Sequence, residues 1–274
     1  MMTISRRKSR SALLAAFVAA GLTACATSPT QRRQIVLYSD SELAQQGIQV
    51  YQRMQAEMTI SPNLAQTDFV QCVTNYVVAA LSDEQRGNYQ WEVTLFQEDS
   101  ANAFALPGGK MGVYTGLLDV TANQHQLAAV MAHEVGHVLA RHSNERASQS
   151  TIIGIGRVVA QVAGVSGTTM QAIDLGTELG LFLPFNRSQE SEADRIGVML
   201  MAEAGFDPAE SVSLWQNMSA LGGPRQPELL STHPSPSTRM VDLNSLMGPA
   251  QALRSSANAR GISPDCVKPP PPGQ

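Results

Sequence analysis

Positive charge is scarce in this chain. Lys and Arg number 19 of 274 residues against 23 Asp and Glu, for a formal net charge of −4. A surface that neutralises phosphates needs a basic excess, so nucleic acid is not an expected partner. Charge of either sign is thin at 15%, whereas apolar residues reach 43%. That balance excludes general disorder and suffices for the core of one sizeable domain. The sequence shows no internal repeat, and a second domain is not expected.

Long hydrophobic runs are missing too. The stretch Ala12 to Ala20 is apolar throughout, but a helix needs about 20 such residues to span a bilayer. It follows Arg6, Arg7, Lys8 and Arg10 with no acid nearby, the order of a secretory signal. Leu22-Thr23-Ala24-Cys25 then resembles a lipobox. That resemblance implies a signal peptide over 1–24 and acyl chains on Cys25 as the mature N-terminus. Residues 25–40, with Pro29, read as the lipidated N-terminus and its tether. Ala26 stands where an inner-membrane retention signal would place Asp, so the expected location is the periplasmic face of a bacterial outer membrane. Loss of the four basic residues takes the formal charge from −4 to −8. Anchoring would therefore rest on lipid and not on a basic patch.

Cysteine is equally sparse, with three in all. With Cys25 assigned to lipid, Cys72 and Cys266 remain, either as a disulfide or as two free buried thiols. An oxidising compartment and an even remainder favour the bridge.

What is present is mostly helical patterning. Helices are expected over about Ser41–Met58, Pro62–Leu81, Gln124–Arg141, Ser188–Glu203, Pro208–Leu221 and Ser237–Met247. Trp91–Phe96, Asn102–Leu106 and Met111–Tyr114 read as strands around the turn signal Pro107-Gly108-Gly109. The Gly- and Ala-rich stretch 151–183 reads as two core helices. The fold class is α+β, mainly helical with a small sheet, over residues 41–250. A C-terminal tail, partly disordered, is expected over 251–274.

The chemistry sits in His133-Glu134-Val135-Gly136-His137. Histidines four apart share one helix face, so both imidazoles reach one metal, and Glu134 is placed as a general base for water. The surrounding helix is apolar, and imidazoles buried without partners are costly. Two His and a carboxylate with one open position suit a single zinc ion. In the stretch 186–197, Glu190 and Asp194 are also four apart. One can ligate and the other can hold a ligand histidine by its far nitrogen. Glu192 points away from that face and reads as solvated. His142, near the helix end, has no assigned role, and Trp91 and Trp215 read as core.

His133-Glu134-x-x-His137 followed by Glu190-x-x-x-Asp194 resembles the gluzincin peptidases of the CaaX prenyl protease and HtpX type. So do "NAFALPGG" at 102–109, "GLL" at 116–118, "GHVLARHS" at 136–143 and "THP" at 232–234. Among them the chain is most similar to the soluble periplasmic lipoproteins, the LoiP and BepA type, and the repeat domain of the latter is not expected in it. The resemblance implies a zincin-like fold whose edge strand flanks the active-site helix. It implies His133, His137 and Glu190 as ligands, with Asp194 and Arg239 supporting them. Asn102, Ala103 and Phe104 would form the substrate-binding edge strand. His233 would either stabilise the oxyanion or close the site as a fourth ligand. A plain loop histidine is the alternative.

The function expected on this basis is a zinc endopeptidase, with Glu134 as base, degrading misfolded or stalled outer-membrane proteins. Partners would be unfolded substrates, the membrane through its lipid, and outer-membrane assembly machinery. The rival reading is a non-proteolytic, chaperone-like binder in which zinc is structural.

Overall fold

A computed structural model describes residues 25–87, 89–162, 185–220, 228–233 and 238–270. The signal segment and most of 151–183 lie outside these. The chain divides into two compact units, Met1–Ser39 with Asn144–Leu181, and Asp40–Ser143 with Phe182–Gln274.

In the first unit, β1 (Cys25–Thr27) and β2 (Arg33–Ile35) pair antiparallel. The turn between them is held by Ser28, whose hydroxyl accepts from the Arg32 N–H. Arg32 reaches Glu145 at 2.7 Å, and the Leu37 N–H donates to the Ser148 hydroxyl at 2.8 Å.

The second unit holds the motifs. Its helices are α1 (Asp40–Glu57), α2 (Leu64–Ala79), α3 (Asp83–Arg86), α4 (Thr115–Val120) and α5 (Gln124–Leu139). After α6 (His142–Val162), which leaves this unit at Ser143, come α7 (Arg187–Glu203), α8 (Ala209–Ala220), α9 (Leu229–Thr232), α10 (Arg239–Ser245) and α11 (Met247–Ala259). A three-stranded sheet is ordered β3 (Glu92–Phe96), β5 (Lys110–Tyr114), β4 (Ala103–Leu106). β3 runs parallel to β5, and β4 antiparallel. β4 is thus an edge, and it lies against α5. The α+β class with an edge strand beside the motif helix is the observed architecture.

Local rules set these boundaries. Asn123 caps α5 by accepting from the His125 and Gln126 N–H groups. Asn186 caps α7, and Gln189 returns the bond to the Asn186 N–H. Asn63, not Pro62, caps α2. β3 does not alternate: Val93 to Phe96 are all buried. Thr94 faces α1, where its hydroxyl meets that of Tyr51 at 2.6 Å, so this strand is covered on both faces.

Two expectations need correction. The stretch expected as a tail begins inside α11, and Cys266 beyond it is buried. The described part of the stretch 151–183 is not core at its start, because Ile152 and Ile153 are exposed on α6.

The Cys266 sulfur bonds Cys72 of α2, with the two Cα atoms 5.8 Å apart. The core runs between the sheet, α2, α5 and α7, with Met131, Val135, Val198, Met201 and Phe206 at its centre.

Candidate metal centre

α5 and α7 cross at glycines. A Cβ on Gly136 would stand 2.9 Å from the Ala193 carbonyl oxygen, and one on Gly197 would stand 2.9 Å from the His133 N and Cα. Backbone meets backbone there, so residues on facing turns can meet with short side chains. His133, Glu134 and His137 face Glu190 and Asp194 across this crossing, and all five are buried.

Four ligand atoms converge. His133 Nε2 and His137 Nε2 are 3.0 Å apart. His137 Nε2 lies 3.4 Å from Glu190 Oε1, and His133 Nε2 lies 3.4 Å from Glu190 Oε2. His233 Nδ1 lies 3.2 Å from His133 Nε2 and 3.1 Å from Glu190 Oε1. Ligands about 2.0–2.1 Å from a tetrahedral zinc stand roughly 3.3 Å apart, so these spacings fit one ion. A buried carboxylate oxygen of Glu134 (Oε1) also makes no hydrogen bond. An acceptor in that position suits a water beside the metal. The donor set of imidazoles and one carboxylate is a zinc set.

The supports differ from ligand to ligand. His133 Nδ1 meets Asp194 Oδ1 at 3.0 Å. Arg239 reaches Asp194 Oδ1 at 2.5 Å and Glu190 Oε2 at 3.4 Å, while its guanidinium lies 3.4 Å over the Trp215 ring. Trp215 is core, as its burial shows, and is also the floor under this arginine. The His137 ring stacks on Phe185 with centroids 3.7 Å apart.

Electrostatics follow from burial and these contacts. Burial works against the charged form of His133, but the Asp194 and Glu190 carboxylates outweigh it and hold its pKa at about 9. Burial, with His133 and His233 alongside, pushes His137 well below the ordinary imidazole range. Burial opposes the charge on Glu190, yet three histidine contacts take its pKa well below the carboxylate range. Burial raises Glu134, although His233, His133 and the Ala105 N–H of β4 all favour its charge. A raised carboxyl is what a proton-accepting group near neutrality requires.

The residues expected as the edge strand lie close by. Ala103 and Phe104 are in β4, and Asn102 directly precedes it. They are not open: Asn102 and Ala103 are buried, the Asn102 amide donates to Glu228, and the Leu229 N–H donates to the Ala101 carbonyl. The segment that carries His233 therefore covers the start of the strand.

Two residues were missed. Glu192, expected in solvent, is buried, and its Oε2 lies 3.1 Å from His142 Nε2. His142, given no role, is fully buried with Nδ1 2.8 Å from His137 Nδ1. The motif RHS at 141–143 could have drawn attention to it.

A helix bearing His-Glu-x-x-His, a carboxylate from a second helix and a flanking edge strand are the parts of a zinc-peptidase site. Residues 64–247 match the model of peptidase family M48. The chain belongs to that family. It is 37% identical over 171 residues to the "Mitochondrial metalloendopeptidase OMA1" of Schizosaccharomyces pombe, covering 62% of this chain and 50% of that protein. Its identity to the human "Metalloendopeptidase OMA1, mitochondrial" is 31% over 185 residues, 63% of this chain and 35% of the relative. The "Beta-barrel assembly-enhancing protease" of Escherichia coli K12 matches at 34% over 164 residues, 54% of this chain and 32% of the relative. The chain spans half or less of the length of each of these relatives.

These matches correct the expected location. Matched relatives from fungi, plant and animals carry mitochondrial names, which points away from a bacterial outer-membrane lipoprotein. Cys25 opens β1, and no helix among the described residues is long and apolar enough to cross a membrane.

Proposed function

We propose that this chain is a zinc-dependent endopeptidase that cuts unfolded or misfolded membrane-associated proteins, and that His233 holds it closed at rest. The observation that carries the reading is the convergence of His133, His137, Glu190 and His233 within 4.8 Å of one another, beside a buried Glu134. Zinc, when bound, polarises the scissile carbonyl and lowers the pKa of the attacking water. Glu134 accepts the proton of that water and passes it to the leaving amine. An extended substrate segment would lie along Asn102, Ala103 and Phe104, using backbone hydrogen bonds and making little demand on sequence.

His233 favours a latch over an oxyanion donor. Its Nδ1 stands among the ligand atoms, and its Nε2 lies 3.4 Å from Glu134 Oε1. Both nitrogens are thus directed at groups that catalysis needs. Glu228 and Leu229, a few residues earlier, bind the start of the substrate strand. One segment then blocks the metal and the strand together. Support for membrane-protein quality control comes from the name of the β-barrel assembly-enhancing relatives. Glu134 stands in place beside the ligand cluster, which favours an enzyme over a binder.

Casein digestion by the zinc-loaded chain tests this. Wild type is expected to cut slowly, His233→Ala at least ten times faster, and Glu134→Gln not at all while retaining zinc. Equal silence of wild type and His233→Ala, both carrying zinc, would refute the peptidase reading.

A further inference from the structure

Each histidine ligand has one nitrogen on the metal side and one on the far side. For His133 the far nitrogen meets a carboxylate directly, Asp194. For His137 it meets a second imidazole. His137 Nδ1 lies 2.8 Å from His142 Nδ1, and His142 Nε2 lies 3.1 Å from Glu192 Oε2. Both His142 and Glu192 are buried.

The proton positions in this chain of contacts are fixed by counting. Two nitrogens 2.8 Å apart need one proton between them. If His137 Nε2 is to offer its lone pair to a metal, its proton sits on Nδ1 and is donated to His142 Nδ1. His142 then carries its own proton on Nε2 and donates it to the Glu192 carboxylate. That arrangement satisfies both the nitrogen–nitrogen and the nitrogen–oxygen contact, and no charge has to change.

The backbone is built to bring His142 there. In a continuous helix, a residue five positions after His137 would sit about 140° round the axis. α5 ends instead, and Arg141 adopts φ +57°, a left-handed value uncommon for a side chain of its size. Arg141 is pinned there by an ion pair to Asp40. The turn starts α6 at His142 and aims its imidazole back at His137. Glu192, on the face of α7 away from Glu190 and Asp194, meets it.

We propose that His142 and Glu192 are positioning residues that act as a relay, holding His137 in the tautomer and orientation that bind zinc. This rests on the zinc-peptidase reading above. The plain structural alternative is a buried pair that only staples the α5–α6 corner to α7. A relay and a staple differ in what they do to the metal: a supporting partner of a ligand is worth about 10–100-fold in metal affinity, whereas a staple changes unfolding and leaves the metal's surroundings alone.

The test uses the full chain loaded with zinc or cobalt(II). Nitrogen NMR of the histidine-labelled zinc form is expected to show His137 protonated on Nδ1 and His142 on Nε2. This needs no variant, so misfolding cannot obscure it, and a His142 proton on Nδ1 would overturn the relay. Chelator competition is expected to show zinc held 10–100-fold more weakly by His142→Phe and less strongly affected by Glu192→Gln, which keeps an acceptor. The cobalt(II) absorption bands should shift in both. Wild-type affinity and wild-type bands in both variants would sink the relay while leaving the peptidase intact. A wild-type chain that takes up no zinc would remove both readings.

Discussion

Gly197 of α7 has no room for a side chain because His133 of α5 stands against it, with the His133 backbone 2.9 Å from where a Cβ would be. The spacing of two helices thereby sets the spacing of His133 and His137 against Glu190 and Asp194. Gly197→Ala must push α7 away from α5, since backbone atoms cannot rotate aside as a long side chain can. Overpacking of this kind costs about 1–3 kcal/mol. We expect a loss of that size in chemical unfolding and, in chelator competition, a weaker hold on zinc, because Glu190 and Asp194 move with α7. Unchanged zinc affinity would show that the crossing does not set the site.

Arg239 is buried between two carboxylates and an indole ring. Arg239→Met keeps much of the contact with Trp215 but removes the guanidinium from Glu190 and Asp194, leaving His133 as their shared positive partner. Removing one partner of a buried pair costs about 3–5 kcal/mol. Thermal unfolding of the metal-free variant should show that loss, and added zinc should recover part of it through its own charge. A variant as stable as wild type without zinc would mean that the arginine contributes packing only.

Asp207 ties the α7–α8 corner to α11. It accepts from the Ala209 N–H and the Gln251 amide and pairs with Arg254 at 2.8 Å. Partial burial opposes its charge, but those bonds prevail and its pKa lies below the ordinary aspartate range. A depressed pKa stabilises the fold above the unfolded value, about 3.9, and that stability is lost as pH falls through the folded value. Asp207→Asn keeps the cap and loses the charge. We expect it to be less stable by roughly 0.5–1 kcal/mol at pH 7, with the difference vanishing as pH falls through the folded value. A difference independent of pH, read from urea unfolding, would contradict this.

The bridge between Cys72 and Cys266 spans 194 residues. On chain-entropy grounds a loop that long is worth about 5 kcal/mol. Reduction, or Cys72→Ala with Cys266→Ala, should lower the unfolding midpoint accordingly and leave zinc content intact, because neither cysteine is near the ligand cluster. Equal stability with and without reductant would place the C-terminal stretch outside the cooperative unit.

The grouping of His133, His137, Glu190 and Asp194 was readable because helices repeat. A spacing of four puts His133 with His137 and Glu190 with Asp194 whatever else the chain does. The strands on either side of the Pro107-Gly108-Gly109 turn signal were readable, although β3 is buried on both faces where alternation was expected. What escaped depended on departures from regularity. His142 is brought to His137 by one left-handed residue, Arg141, whose side chain gives no sign of it. Glu192 does lie away from Glu190, as the helical angle requires, but a helix packed on two sides has no solvent face there. α11 was missed because Gly248 and Pro249 look like breakers. Both fall in its first turn, where the N–H that proline lacks would have had no partner.

The covalent bridge has one more consequence, for damage. Residues 133, 137, 190 and 233 all lie between its two cysteines. A protease is exposed to its own activity, and a single peptide-bond cut anywhere between Cys72 and Cys266 yields two fragments still joined through sulfur. Such a nicked molecule stays one covalent body that carries every ligand, and it comes apart in two only when the sulfurs are reduced.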